Sequence, residues 1–382
     1  MIMKKVYICS MGGSGKGLLR SLLDGHQKIF TCPIQGFADS LINDKFIEFV
    51  KRKRLRILRE RYWLSMPSIK CFYFIDDSEQ IKITIAEFLN YLFATRSNFD
   101  QLIDKSLAGK TSTGPPGNMV FVDFDFNYNT YLEELVNKIL GIGVFSSVEQ
   151  LQDAVYEVFI KVWANKNKNY TPDTYFVQTA RNGLRVIRNV LERNTSAIIF
   201  AMFRDPVSIA FTEAMNLRNM LSGSTGTDSI SDKLIKISHK ELFSTRYLYN
   251  LKYFRNEVNK IKEKNRNIYV VDFESLVHNT KEVMDGVADF LGIERDKVLY
   301  KPTLNSVELE NNNAKLIDKI HDDPYKVLSK DQIDLIKYFI DGPSSKNSFL
   351  RNIYLAIMTN YHTLPNTVKT IKNKLRLYNI KV

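Results

Sequence analysis

Four glycines and a lysine fall within six positions of the run Ser10-Met11-Gly12-Gly13-Ser14-Gly15-Lys16-Gly17. The residues ahead of it, Lys5-Val6-Tyr7-Ile8-Cys9-Ser10, read as a strand, and those behind, Leu18-Leu19-Arg20-Ser21-Leu22-Leu23, read as a helix. A glycine turn between strand and helix aims backbone N–H groups and a helix N-terminus at one anion. Glycine allows close backbone approach and positive φ, and a lysine adds a cation. The candidate anion ligands are therefore Gly12, Gly13, Ser14, Gly15, Lys16 and Gly17. The plainer alternative, a tight connection without a ligand, needs neither so many glycines nor the lysine.

Which anion is decided by departures from the nucleotide-kinase pattern G-x-x-x-x-G-K-[ST]. Ser10 stands where its first glycine belongs, and Gly17 stands where its magnesium-binding hydroxyl belongs. In phosphoryl transfer the metal bridges the β- and γ-phosphates and neutralises developing charge. A loop lacking that hydroxyl is expected to handle a phosphate donor without a metal, which disfavours a small-molecule P-loop kinase.

A second anion-binding candidate follows the apolar run 197–203, which leads into Arg204-Asp205-Pro206-Val207-Ser208-Ile209-Ala210-Phe211-Thr212. An arginine at a strand's carboxyl end and a hydroxyl two helical turns on can flank a phosphate lying over a helix N-terminus. On the plainer reading, Asp205 and Pro206 are the N-cap and N1 residues opening a helix, and Arg204 sits in a surface salt bridge.

These groups need a scaffold, and the chain supplies one. Runs 5–10, 119–124, 197–203 and 267–273 are apolar on both faces, as parallel strands covered by helices require. Residues 147–164 carry Val148, Leu151, Val155, Val158, Phe159 and Val162 at helical spacing, and 231–264 read as one or two helices. The polar stretches 110–117 and 221–228 read as loops. The expected architecture is a three-layer α/β fold with a parallel sheet, a P-loop-like nucleotide-binding turn and helical insertions. One elaborated domain over 1–345 with a basic helical extension over 346–382 is expected, since no composition shift marks a boundary.

The 382 residues are 44% hydrophobic and 25% charged, which excludes wholesale disorder. A surplus of +12 points to an anionic partner. Cys9, Cys32 and Cys71 are too scattered for a disulfide framework or a Cys/His ligand set. Residues 6–9 make too short an apolar run for a signal-peptide core, and no stretch reaches the roughly 18 apolar residues of a membrane span. A cytoplasmic protein is expected.

The segment from Gly13 to His26, G-S-G-K-G-L-L-R-S-L-L-D-G-H, resembles the sulfotransferase phosphosulfate loop R-S-G-T-T-L-L-R-S-L-L-D-A-H. Arg204-Asp205-Pro206 through Thr212 is similar to the family's R-D-P-x-x-x-x-x-S signature. Tyr269-Val270-Val271-Asp272-Phe273-Glu274-Ser275-Leu276, then Phe290-Leu291-Gly292-Ile293, resemble its "YEDL" strand and "FLGI" helix end. Pro302-Thr303-Leu304-Asn305 through Asn311-Asn312-Asn313 resembles its late P-T-x-N-G … N-S stretch, with Ser306 in place of the glycine. Gly292 fits a helix C′ position on any reading.

The resemblance implies an enzyme that uses 3′-phosphoadenosine 5′-phosphosulfate (PAPS) as donor, without a metal, and transfers its sulfuryl group to a hydroxyl, on a carbohydrate or glycolipid by analogy. It implies Arg204 and Thr212 as ligands of the 3′-phosphate. The chain departs from the family at Gly13, where a basic residue is usual, at Lys16, where threonine is usual, and at Gln178, where a lysine is common. The reading taken is that Lys16 supplies the missing charge to the bridge oxygen, a fixed cation stabilising the leaving anion. A base must also deprotonate the acceptor. Gln35 stands where the family often has glutamate, so the base stays open among Asp39, Asp123, Asp125 and His26, the last favoured as a structural residue.

Two basic runs remain. Residues 51–62 carry seven basic side chains, with Leu55, Leu58 and Tyr62 along one helical stripe: a solvated face, or a rim attracting an anionic glycan. Lys369, Lys372, Lys374, Arg376 and Lys381 follow an interfacial pattern, as a surface helix or as a peripheral contact with an anionic membrane. A nucleic-acid partner is not expected, because no recognised module is present and the glycine turn would go unexplained. A catalytically inactive binding protein of the same fold is the other alternative.

Overall fold

The computed structural model describes residues 4–11, 13–32, 71–76, 79–84, 128–162, 174–180, 183–193, 196–222, 247–304, 307–308 and 324–341. Its centre is a five-stranded sheet in the order β2-β6-β1-β7-β8, formed by β1 (Lys4–Ser10), β2 (Ile29–Thr31), β6 (Tyr175–Ala180), β7 (Ile198–Phe203) and β8 (Ile268–Asp272). Every pairing in it is parallel. The fold is α/β.

The strands explain this arrangement. Val6, Ile8, Val177 and Phe200 are fully buried on one side of the sheet, and Cys9 and Ile199 on the other, so both faces must be covered. α1 (Lys16–Leu23) packs against β1 and β6, and α4 (Gly183–Arg193) against β1. α2 (Tyr128–Ile142) and α3 (Val148–Val162) pack on each other and on a smaller sheet of β3 (Cys71–Asp76), β4 (Glu79–Thr84) and β5 (Val144–Phe145). Phe30 stacks on Phe176 at 5.7 Å and meets Phe159 of α3 edge-on, which extends the aromatic core across β2, β6 and α3.

The runs 5–10, 197–203 and 267–273 are strands, and 147–164 is helical, with bounds shifted by a residue or two. The third run stops at Asp272, whose carboxylate accepts from the Ser275 N–H at 2.9 Å and so opens α7 (Phe273–His278). The run 119–124, the stretch 110–117 and both basic runs lie outside the described residues, as does the proposed extension 346–382. Apolar periodicity does not mark strands β2 and β6. β2 is three residues long, and in β6 the polar pair Gln178-Thr179 interrupts the apolar run, yet both side chains are buried.

The chain divides into two compact units. The first holds residues 1–11, 15–203 and 261–310, including the five-stranded and three-stranded sheets, α1 to α4, α7 and α8 (Thr280–Leu291). The second holds residues 12–14, 204–260 and 311–382, including α5 (Pro206–Ser222), most of α6 (Tyr247–Lys264) and α9 (Lys330–Asp341), which packs on α5. Among the described residues, no helix is long and apolar enough to cross a membrane.

Candidate functional site

Within the first unit, Gly15 caps α1 with φ 79°, a left-handed conformation natural to glycine. Its carbonyl accepts from Leu18 N at 2.9 Å, which starts the helix, while the first-turn amides of Lys16 and Gly17 are among those a helix leaves for an external acceptor. A methyl at Gly15 would lie 2.0 Å from the Phe273 ring. Phe273, at the start of α7, therefore presses directly on the turn, and only glycine fits there. At Gly17 no atom of the described residues lies within 4 Å of an added methyl, so among them that side is open.

Lys16, the first residue of α1, donates from Nζ to the Ala180 carbonyl at 2.9 Å. Ala180 is the last residue of β6, so the ammonium sits at the carboxyl edge of the sheet beside the end of β1. In open parallel sheets that edge is where ligands are held. Gln178 does not share the position. Its side chain is buried on the α3 face, and its Nε2 donates to the Tyr156 hydroxyl at 3.0 Å. Tyr156 also bonds Tyr7, the residue paired with Gln178 in register, and burial raises both phenols above their ordinary range. Lys5 lies on the same face, buried and bonded to Asp153 at 2.7 Å. Burial raises the Asp153 carboxyl, while Lys5 pulls it down. This polar layer fastens α3 to the sheet.

The helical half of the glycine segment is consumed by packing. Arg20 Nη1 reaches the Cys32 carbonyl at 3.4 Å, and Asp24 accepts hydroxyl bonds from Thr31 at 2.5 Å and Thr303 at 2.9 Å. His26 is 1% exposed, accepts at Nδ1 from the Lys28 N–H and donates from Nε2 to the Glu294 carbonyl. With both ring nitrogens engaged, it is a structural residue. Asp39, Asp123 and Asp125 lie outside the described residues, as does Gly12.

Within the second unit, Arg204 is 5% exposed, and its Nη1 donates to the Gly13 carbonyl at 2.6 Å. A surface salt bridge is thus not its role. Asp205 does cap the helix: its carboxylate accepts from the Ser208 amide at 2.9 Å and the Ser208 hydroxyl at 3.0 Å, with Pro206 next to it at the helix start. Thr212 donates its hydroxyl to the Ser208 carbonyl at 2.8 Å, one helical turn back. To serve a ligand as donor it must exchange that bond. Gly13, at φ 67° and exposed, lies against Thr212 and Glu213. Burial raises the Glu213 carboxyl above the usual glutamate range.

Two of these features went unread in the sequence. The contact of Phe273 with Gly15 has no local signal, because the two residues are far apart in the chain. Glu213 falls in an ordinary helical pattern next to a residue singled out for its hydroxyl.

No family profile matches the chain, and no curated protein does. Among solved structures, it is similar to the sulfotransferase domain of the Synechococcus PCC 7002 olefin synthase, at 13% identity over 93% of this chain and 94% of that one, with TM-score 0.44. It is also similar to the sulfotransferase domain of the curacin biosynthetic pathway, at 12% identity over 89% and 98%, with TM-score 0.42. A sulfotransferase from Alicyclobacillus acidocaldarius matches at 12% identity over 90% and 98%, with TM-score 0.37. All three carry that name.

Proposed function

We propose that the chain is a sulfotransferase that moves a sulfuryl group from PAPS to a hydroxyl acceptor. The observation that carries this reading is Lys16, placed by the turn's own helix at the carboxyl edge of the sheet, in a loop that lacks the magnesium-binding hydroxyl. An ammonium held there suits a donor whose leaving group is an anion and whose chemistry needs no metal. Gly13, Ser14, Gly15 and Gly17 are assigned to the 5′-phosphosulfate through backbone donors, together with Gly12, and the open space at Gly17 leaves room for such a group. Arg204 and Thr212 are assigned to the 3′-phosphate. The reaction as proposed calls for no metal.

Lys16 has a defined task in this scheme. As the bond between sulfur and the bridge oxygen breaks, negative charge grows on the 5′-phosphate, and a cation already in place stabilises it without reorganisation. The acceptor is proposed to be a glycan or glycolipid hydroxyl, drawn by the basic surplus of the chain. Incubating the protein with PAPS and a panel of glycans, in the presence of a chelator, tests the scheme. Sulfated product that survives chelation and disappears in Lys16→Ala supports it, and transfer from ATP in its place refutes it.

A further inference from the structure

We propose that the hydroxyls of Ser10 and Thr179 hold the oxygens of the transferred sulfuryl group. The inference rests on the sulfuryl-transfer reading and extends the donor site by two side chains. Both residues, together with Lys16, belong to the first unit.

Ser10 ends β1, and Thr179 is the last residue but one of β6. Thr179 pairs in register with Ile8, and Ser10 follows Ile8 by two, so the two side chains stand on one face of the sheet, on neighbouring strands at its carboxyl edge. The opposite face belongs to α3, whose Tyr156 stacks on Phe176 at 4.5 Å and accepts from Gln178. α1 packs on β1 and β6 as well, so it covers the face of Ser10 and Thr179, and it starts at the edge where they stand.

The two side chains are 0% and 1% exposed, and among the described residues neither hydroxyl has a hydrogen-bond partner. A buried hydroxyl without a partner costs stability, and native folds keep few of them. Two such groups lie here under one helix N-terminus, and Thr179 directly precedes Ala180, whose carbonyl holds the Lys16 ammonium at 2.9 Å. With Lys16 assigned to the bridge oxygen, the sulfur bonded to that oxygen comes beside these hydroxyls. Sulfuryl oxygens accept hydrogen bonds and donate none, which matches two O–H donors. Neither donor is exposed, so the sulfuryl group reaches them as the first turn of α1 gives way, and their unmet bonds favour that opening.

The step balances without a proton from either residue. The acceptor oxygen bonds to sulfur as the bond from sulfur to the bridge oxygen breaks, the electron pair leaves on the 5′-phosphate, and the acceptor's proton ends in solvent. Charge grows on the bridge oxygen, which calls for the ammonium, while the sulfuryl oxygens need only to be oriented, which neutral donors do.

The test is calorimetry on the full chain without magnesium, using PAPS and 3′-phosphoadenosine 5′-phosphate, which lacks the sulfuryl group. Thr179→Val and Ser10→Ala are each expected to weaken PAPS by about 10-fold and to leave 3′-phosphoadenosine 5′-phosphate unchanged. The melting temperature is expected to hold or rise in both, since an unmet hydroxyl has gone. Thr179→Ser, which keeps the hydroxyl, is expected to keep the affinity for PAPS. PAPS affinity within about twofold of the parent in both variants overturns the assignment. An equal loss for the two nucleotides also overturns it, as does a loss in Thr179→Ser as large as in Thr179→Val, or a lowered melting temperature in both hydroxyl-free variants, which marks a structural role. A parent protein that does not bind PAPS removes the sulfuryl-transfer reading itself, a result distinct from silent variants of a parent that binds it.

Discussion

The two halves of the glycine segment diverge once folded. Between Arg20 and His26 the three ionisable side chains are buried and spent: Arg20 on the Cys32 carbonyl, Asp24 on two threonine hydroxyls, His26 on backbone at both nitrogens. From Gly13 to Gly17 the backbone carries the design, with Gly13 exposed, Gly15 in the left-handed region and open space beside Gly17. One stretch that reads as a single motif therefore holds a fastening and the proposed cradle. Resemblance across the fastening half speaks for the fold, and only the cradle half speaks for chemistry.

Substitutions can break this contrast. The largest stability effect is expected at Gly15→Ala, where a positive φ and the Phe273 ring both oppose a methyl: a loss of about 3 kcal/mol in urea unfolding. That part of the cradle is also structural, and Phe273→Ala in the Gly15→Ala background should return the steric share, which a double-mutant cycle reads directly. Asp24→Ala comes next, at about 2 kcal/mol, since it strands the buried Thr31 and Thr303 hydroxyls. Nucleotide affinity per folded molecule should not change in that variant, and a lowered affinity would dissolve the distinction between the halves.

Gly17→Ala is expected to be neutral or stabilising by about 0.5 kcal/mol, as a helical glycine with ordinary φ and open surroundings. The same methyl enters the proposed phosphate space, so a drop in nucleotide affinity without a drop in melting temperature would sharpen the cradle's outline. Lys16→Ala should move stability least, by under about 0.5 kcal/mol, because its bond to Ala180 is half-buried and neutral at the acceptor. Its turnover should nonetheless fall by about 100-fold or more.

The sheet was legible where strands are apolar on both sides, because burial on two faces writes a continuous run into the sequence. It was not legible at β6, whose Gln178 and Thr179 look like surface residues until a tyrosine from α3 is brought to meet the amide. The turn and Arg204 could be singled out from local spacing. That Arg204 grips the Gly13 carbonyl, or that Phe273 seals Gly15, could not, since such contacts join residues far apart in the chain and depend on the strand order. Gln178 shows the opposite hazard: placed by resemblance where a lysine is common, it turns out to be a core residue.

The central claim is that the glycine turn holds a 3′-phosphorylated nucleotide without a metal. Calorimetry on the full chain with 3′-phosphoadenosine 5′-phosphate and with ATP, each with and without magnesium, addresses it most directly. The account predicts binding of 3′-phosphoadenosine 5′-phosphate that magnesium does not alter and that Arg204→Ala weakens. Binding of ATP that requires magnesium, with none of the 3′-phosphorylated nucleotide, would contradict it.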